Sequence, residues 1–135
     1  METLHTPINT LVEKTQTSEM NKILLIDRDS ALSTVLTQEG YDVVRCDSVQ
    51  KAWNLVYPRR PHLIILNVYN SNGAALSDVQ ECRALAEGVP ILVVTTHISQ
   101  ALTRAMEHGA GAVVASTPES IRKAVYDLKA SMIRR

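Results

Sequence analysis

What most constrains this chain is a regular alternation that begins at Lys22. Short apolar runs are separated by longer stretches in which apolar residues recur every three or four positions. Lys22-Ile23-Leu24-Leu25-Ile26 is apolar until it meets Asp27. A run this short, without polar alternation, reads as a strand covered on both faces rather than as a helix. The next stretch carries Ala31, Leu32, Val35 and Leu36 at helical spacing; Asp29 or Ser30 can cap it and Gly40 ends it. A short strand follows over Asp42–Cys46. Ser48 then caps a helix with Val49, Ala52, Trp53 and Val56 on its buried stripe, closed by Pro58 and Pro61.

The same alternation continues to the C-terminus. His62–Val68 is the third strand, and the Asn- and Gly-containing stretch from Tyr69 to Gly73 is a loop whose Asn72-Gly73 pair marks a turn. Leu76, Val79 and Cys82 mark the third helix. Pro90 opens a fourth strand over Ile91–Thr96. Ala101, Leu102, Ala105 and Met106 mark the fourth helix, which Gly109 ends. Ala112–Ser116 is the fifth strand. Thr117 caps the last helix, Pro118 takes its first position, and Ile121, Val125, Leu128 and Met132 form its stripe.

Strands spaced by about 20–25 residues with helices between them require a parallel sheet covered on both faces, joined by right-handed crossovers. Five such units in one small domain predict an α/β, doubly wound, flavodoxin-like fold with five helices and strand order 2-1-3-4-5. The domain is expected over 22–135. Residues 1–21 are polar, with only scattered apolar positions (Ile8, Leu11, Val12) and a possible helix start at Pro7, and read as a tail or a short docking helix.

Composition excludes several function classes. The formal net charge is +0, so no electrostatic case exists for a nucleic-acid partner. Arg122, Lys123, Lys129, Arg134 and Arg135 gather near the C-terminus, where cations suit a helix end. No apolar run approaches the roughly 20 residues of a membrane span, and METLHTPINT lacks a secretory pattern. Cys46 and Cys82 match no metal or redox spacing and read as small reduced hydrophobes in a cytoplasmic chain.

In this fold the functional crevice lies beyond the carboxyl ends of the strands, where strand order reverses between the first and third. Asp27, Arg28 and Asp29 follow the first strand, Asn67 ends the third, Thr95 and Thr96 the fourth, and Ser116 the fifth. The segments LLIDRD (24–29), LIILNV (63–68), PILVVTT (90–96) and HGAGAVVAS (108–116) together resemble the CheY-like receiver domain of two-component response regulators. The resemblance spans Lys22–Arg135 and implies a signalling role.

It also implies a phosphorylation pocket, most of which is altered here. Such domains use two acidic residues for magnesium, an aspartate as phosphoryl acceptor, a Thr or Ser, and a lysine. In this sequence Asp27, Asp29 and Thr95 remain, but Arg28 replaces an acid, Asn67 the acceptor and Ser116 the lysine. Thr117 stands where a proline is usual, and Val113 where a switch aromatic is expected. A neutral amide lacks the nucleophilic lone pair of a carboxylate, so phosphorylation is expected to be abolished. With Arg28 near the metal position and the lysine gone, magnesium is expected to bind weakly or not at all. The sequence leaves two arrangements open: Arg28 or a water network over Asp27 in the metal's stead, or Arg28 pointing to solvent.

The expected function is therefore a receiver domain that cannot be phosphorylated and acts through protein contacts, not as an enzyme. The implied face comprises the fourth helix, fifth strand and fifth helix, with Arg104, His108, Val113, Arg122 and Tyr126. Its partner would be another signalling protein or a second copy, with neither nucleic acid nor membrane involved. The alternative is a small-ligand sensor using the crevice around Asp27, Asn67 and Thr95. No glycine-rich phosphate loop follows the first strand, and His97 has no nucleophile paired with it, so it reads as a loop residue.

Overall fold

A computed structural model describes residues 21–56, 60–68, 73–96 and 98–134. Residue 56 and residues 73–77, 98–102 and 132–134 are described by backbone alone. Residues 1–20 of the expected tail over 1–21, Pro58, Tyr69 to Asn72, His97 and Arg135 lie outside the described residues. The elements are β1 (Lys22–Ile26), α1 (Ala31–Gln38), β2 (Asp42–Cys46), α2 (Val49–Val56), β3 (Leu63–Val68), α3 (Gly73–Leu85), β4 (Ile91–Thr95), α4 (Ile98–Glu107), β5 (Ala112–Ala115) and α5 (Pro118–Arg134). The strands form one parallel sheet in the order β2-β1-β3-β4-β5, the expected doubly wound topology.

Strand pleating sorts the core into two halves, because successive side chains point to opposite faces. Ile23, Leu25, Leu63, Ile65, Leu92 and Val94 pack with Leu32 and Leu36 of α1 and with Ile121, Ala124 and Val125 of α5. Leu24, Ile26, Ile64, Leu66, Ile91 and Val93 pack on the other side with Val49 and Ala52 of α2, Val79 and Cys82 of α3 and Ala105 of α4. The inner strands β3 and β4 are buried almost end to end, whereas edge strand β5 is only half-buried.

The helix ends follow local chemistry. Asp29 Oδ1 accepts the Ala31 N–H at 3.1 Å, so Asp29 rather than Ser30 caps α1 with its side chain. Ser48 Oγ accepts from Lys51 N–H at 3.3 Å and Thr117 Oγ1 from Ser120 N–H at 3.2 Å, capping α2 and α5. Gly40 (φ 96°) and Gly109 (φ 110°) terminate α1 and α4 in the left-handed region. There Tyr41 N–H reaches Leu36 C=O and Ala110 N–H reaches Ala105 C=O, satisfying carbonyls the helices leave open.

Some expected core positions are not core. Trp53 is 47% exposed and Met106 46%. Both lie on the margin of a helical stripe whose centre is taken by a fully buried alanine, Ala52 or Ala105. With alanine at the contact the helix sits too close to the sheet for a large side chain beside it. Asn21, grouped with the tail by its polarity, is buried. Its carbonyl accepts from Asp42 N–H at 3.0 Å, and its side chain takes a hydrogen bond from Lys129 Nζ at 2.5 Å. That ammonium also lies 5.5 Å from the Tyr41 ring centre, a cation–π contact, so one lysine ties α5 to the entries of both β1 and β2.

Both cysteines are buried and unpaired. Burial pushes the Cys82 thiol up to about 12, and neighbouring Asp78 adds to the effect; burial raises Cys46 as well. Since the thiolate is the reactive form, both thiols should resist an aromatic disulfide reagent in the native state and react at once in denaturant; rapid native labelling of Cys82 would contradict this packing. Ile65→Ala, which empties a fully buried site, should cost about 2–5 kcal/mol in urea unfolding. Tyr126→Ala, at 68% exposure, should change stability by no more than about 0.5 kcal/mol.

Candidate functional site

The register of β1 on β3 sets the geometry of the crevice. Ile26 lies opposite Leu66, so the next residues, Asp27 and Asn67, are neighbours at the carboxyl tips of adjacent strands. Both fall one step beyond residues of the α2/α3/α4 face, and the pleat therefore turns them to the α1/α5 face. Asn67 Nδ2 donates to Asp27 Oδ2 at 3.0 Å. The Asp29 backbone N–H donates to Asp27 Oδ1 at 2.9 Å. Asp27 is only 3% exposed, a depth at which a carboxylate must be well hydrogen-bonded to be tolerated. Hydrogen bonds to a charged group contribute about 1.5–3 kcal/mol each.

These residues open onto a cleft of about 250 Å³ between α1 and α5. Asp27, Asp29, Asn67 and Ser116 form its polar part, and Ala31, Leu32, Val35, Pro118 and Ile121 its apolar walls. Ser116 is exposed and follows β5, held by its N–H to Thr95 C=O at 3.1 Å. Thr95 is out of step with this group. It pairs with Val68, whereas Asn67 pairs with Val94, and it is fully buried rather than lining the cleft.

Of the two arrangements left open for Arg28, the structure has its side chain exposed. The cation reaching this loop is Arg45 of β2, whose Nη1 donates to the Asp27 carbonyl at 3.0 Å and to the Arg28 carbonyl at 3.4 Å. Arg45 lies opposite Leu25 in register, so pleating aims it at the α1 side. Strand parity in the sequence carried that signal, but nothing in the sequence says how far the side chain reaches.

The residues expected to form an interaction face are spread over adjoining elements. Arg104 is exposed on α4, and His108, four residues on and half-buried, follows the helix end. Arg122 and Tyr126 are exposed on α5, also four apart and thus on one side of that helix. Val113 is different: it is half-buried and packs against the α2/α3/α4 core, so it presents less surface than an aromatic there would. A groove of about 540 Å³ runs along the open edge of β5, between the strand and Ser120, Lys123, Ala124, Asp127 and Leu128 of α5. Lys123 and Asp127 pair along its α5 wall at 2.9 Å.

No family model matches this sequence, and no curated protein does either. Solved structures with the same fold do. The chemotaxis protein CheY4 of Vibrio cholerae superposes with a TM-score of 0.70 at 24% identity, covering 81% of this chain and 98% of that one. A candidate response regulator from Chloroflexus aurantiacus gives 0.68 at 27% identity, over 82% and 98% of the two chains. The receiver domain of the sensor histidine kinase PA1611 from Pseudomonas aeruginosa gives 0.65 at 18%, over 82% and 98%, and carries magnesium in its active-site cleft.

The 3.0 Å bond between Asn67 and Asp27 makes a direct prediction. Asn67→Asp would set two carboxylates face to face, and like charges at that spacing resist ionising together. The folded variant then binds more protons than its unfolded chain, so its stability falls as pH rises through the carboxylate range. Urea unfolding of native and variant chains at acid and neutral pH should show the variant's deficit growing toward neutrality; a deficit independent of pH would argue against a face-to-face pair. Taken together, fold and neighbours establish that this chain has the architecture of response-regulator receiver domains, with an amide at the tip of β3.

Proposed function

We propose that this chain is a receiver-type signalling domain that works without phosphorylation, by docking on another protein or on a second copy of itself. The observation that carries this reading is the Asn67–Asp27 hydrogen bond. At the strand tip where receiver domains carry their acceptor carboxylate stands an amide, and its nitrogen is turned to the neighbouring acid. It offers no nucleophile for an acyl phosphate. Ser116 supplies no positive charge to steady a phosphoryl group.

The crevice also does not fit a divalent ion of the kind held by the PA1611 receiver domain. Magnesium demands near-octahedral oxygen ligands. Here Asp27 Oδ2 faces an N–H donor of Asn67, and the adjoining loop carbonyls face a guanidinium. Among the described residues, no group of three or more His, Cys, Asp and Glu side chains is gathered closely enough to hold a metal.

Without a covalent switch, information would pass through a surface. The exposed Arg104, Arg122 and Tyr126 combine an aromatic with guanidinium groups, the composition that dominates binding energy at protein interfaces. No helix among the described residues is long and apolar enough to cross a membrane.

Incubation with acetyl phosphate and magnesium, followed by intact-mass measurement, should leave the protein unmodified; a labile phosphoryl adduct at the crevice would sink the proposal. Sedimentation and affinity capture should detect a specific complex, weakened at least about tenfold by Tyr126→Ser combined with Arg122→Glu. A complex indifferent to both substitutions would move the docking face elsewhere. The 250 Å³ cleft favours a second reading, a small-ligand sensor. A thermal-shift screen tests it, since a ligand of the folded state must raise the melting temperature.

A further inference from the structure

Arg45 occupies the fourth position of β2, an edge strand, and its guanidinium crosses to the β1–α1 loop. It bonds two consecutive carbonyls there, those of Asp27 at 3.0 Å and Arg28 at 3.4 Å. The same four-residue loop carries the Asp27 and Asp29 carboxylates that line the cleft. Carbonyl and carboxylate oxygens crowded into one turn make a corner of negative potential. Such oxygens are the ligands of a hard cation. Arginine brings a charge that no accessible pH removes, and a planar fork able to hold more than one acceptor.

We infer that Arg45 is a positioning residue that supplies this loop with the positive charge a bound divalent ion gives to a receiver-type crevice, and so holds it in one ion-independent geometry. The loop geometry in turn fixes the Asp29 N–H on Asp27 Oδ1 and the Asp29 cap on Ala31 N–H, and with them the orientation of the carboxylate that Asn67 engages. The inference rests on the metal-free reading of the crevice and is independent of the docking face.

Amide hydrogen exchange by NMR on the full chain tests it. Arg45→Gln keeps a donor but removes the charge, Arg45→Lys keeps the charge, and Arg28→Gln removes the neighbouring exposed cation. Arg45→Gln should speed exchange at Asp29 and Ala31 by about tenfold, the loss of one charge-assisted bond, while core amides such as Ile65 stay protected. Arg45→Lys should retain most of the protection and Arg28→Gln all of it. Unchanged exchange in Arg45→Gln, equal loosening in Arg28→Gln, or a lysine no better than glutamine would each overturn the role of Arg45. Millimolar magnesium should leave the crevice resonances of the native chain in place. Magnesium shifting them would overturn the metal-free reading itself, a failure distinct from the other three.

Discussion

A parallel sheet buried on both faces admits polarity only at its rims, and this constraint governs the molecule. The central strands β1, β3 and β4 must be apolar at consecutive positions because α1 and α5 cover one face and α2, α3 and α4 the other. Chemistry is thereby confined to the residues at which each strand stops. Asp27, Asn67 and Ser116 gather at one end because the strands run parallel and the pleat gives those three the same facing. In such a structure the identity of one tip residue decides what kind of site results.

Here the tip residues hold one another through hydrogen bonds. Asp27 is almost fully buried, a costly place for a carboxylate, and is held by the Asn67 amide and the Asp29 N–H. A carboxylate at 67 beside Asp27 would call for nearby cations to balance the pair. With an amide in its place, a serine suffices at 116. An amide at 67 and a serine at 116 are thus mutually consistent on electrostatic grounds.

The positions where sequence reading and structure part company share one cause. Trp53 and Met106 fit the helical period of their stripes, yet each lies beside a fully buried alanine that sets how closely the helix approaches the sheet. Periodicity reports which side of a helix faces inward but not how deep the interface is. Asn21 looked like tail because it is polar, but its hydrogen bonds to Asp42 N–H and Lys129 come from chain segments far away in sequence. Arg28 drew attention by standing between two acids. The cation that reaches their loop is Arg45, which comes from the neighbouring strand.

The order of elements, the strand boundaries to within a residue, the parallel topology and the residues at the strand tips were all determined by the sequence alone. Each follows from local periodicity and from the few ways a two-sided sheet can be wound. The tertiary structure alone decided which tip residues touch, that the Asn67 nitrogen meets Asp27, that Thr95 is buried out of step with the cleft, and that Arg45 rather than Arg28 braces the loop. Those outcomes depend on register and on side-chain reach between segments distant along the chain, and neither is encoded in any local pattern of residues.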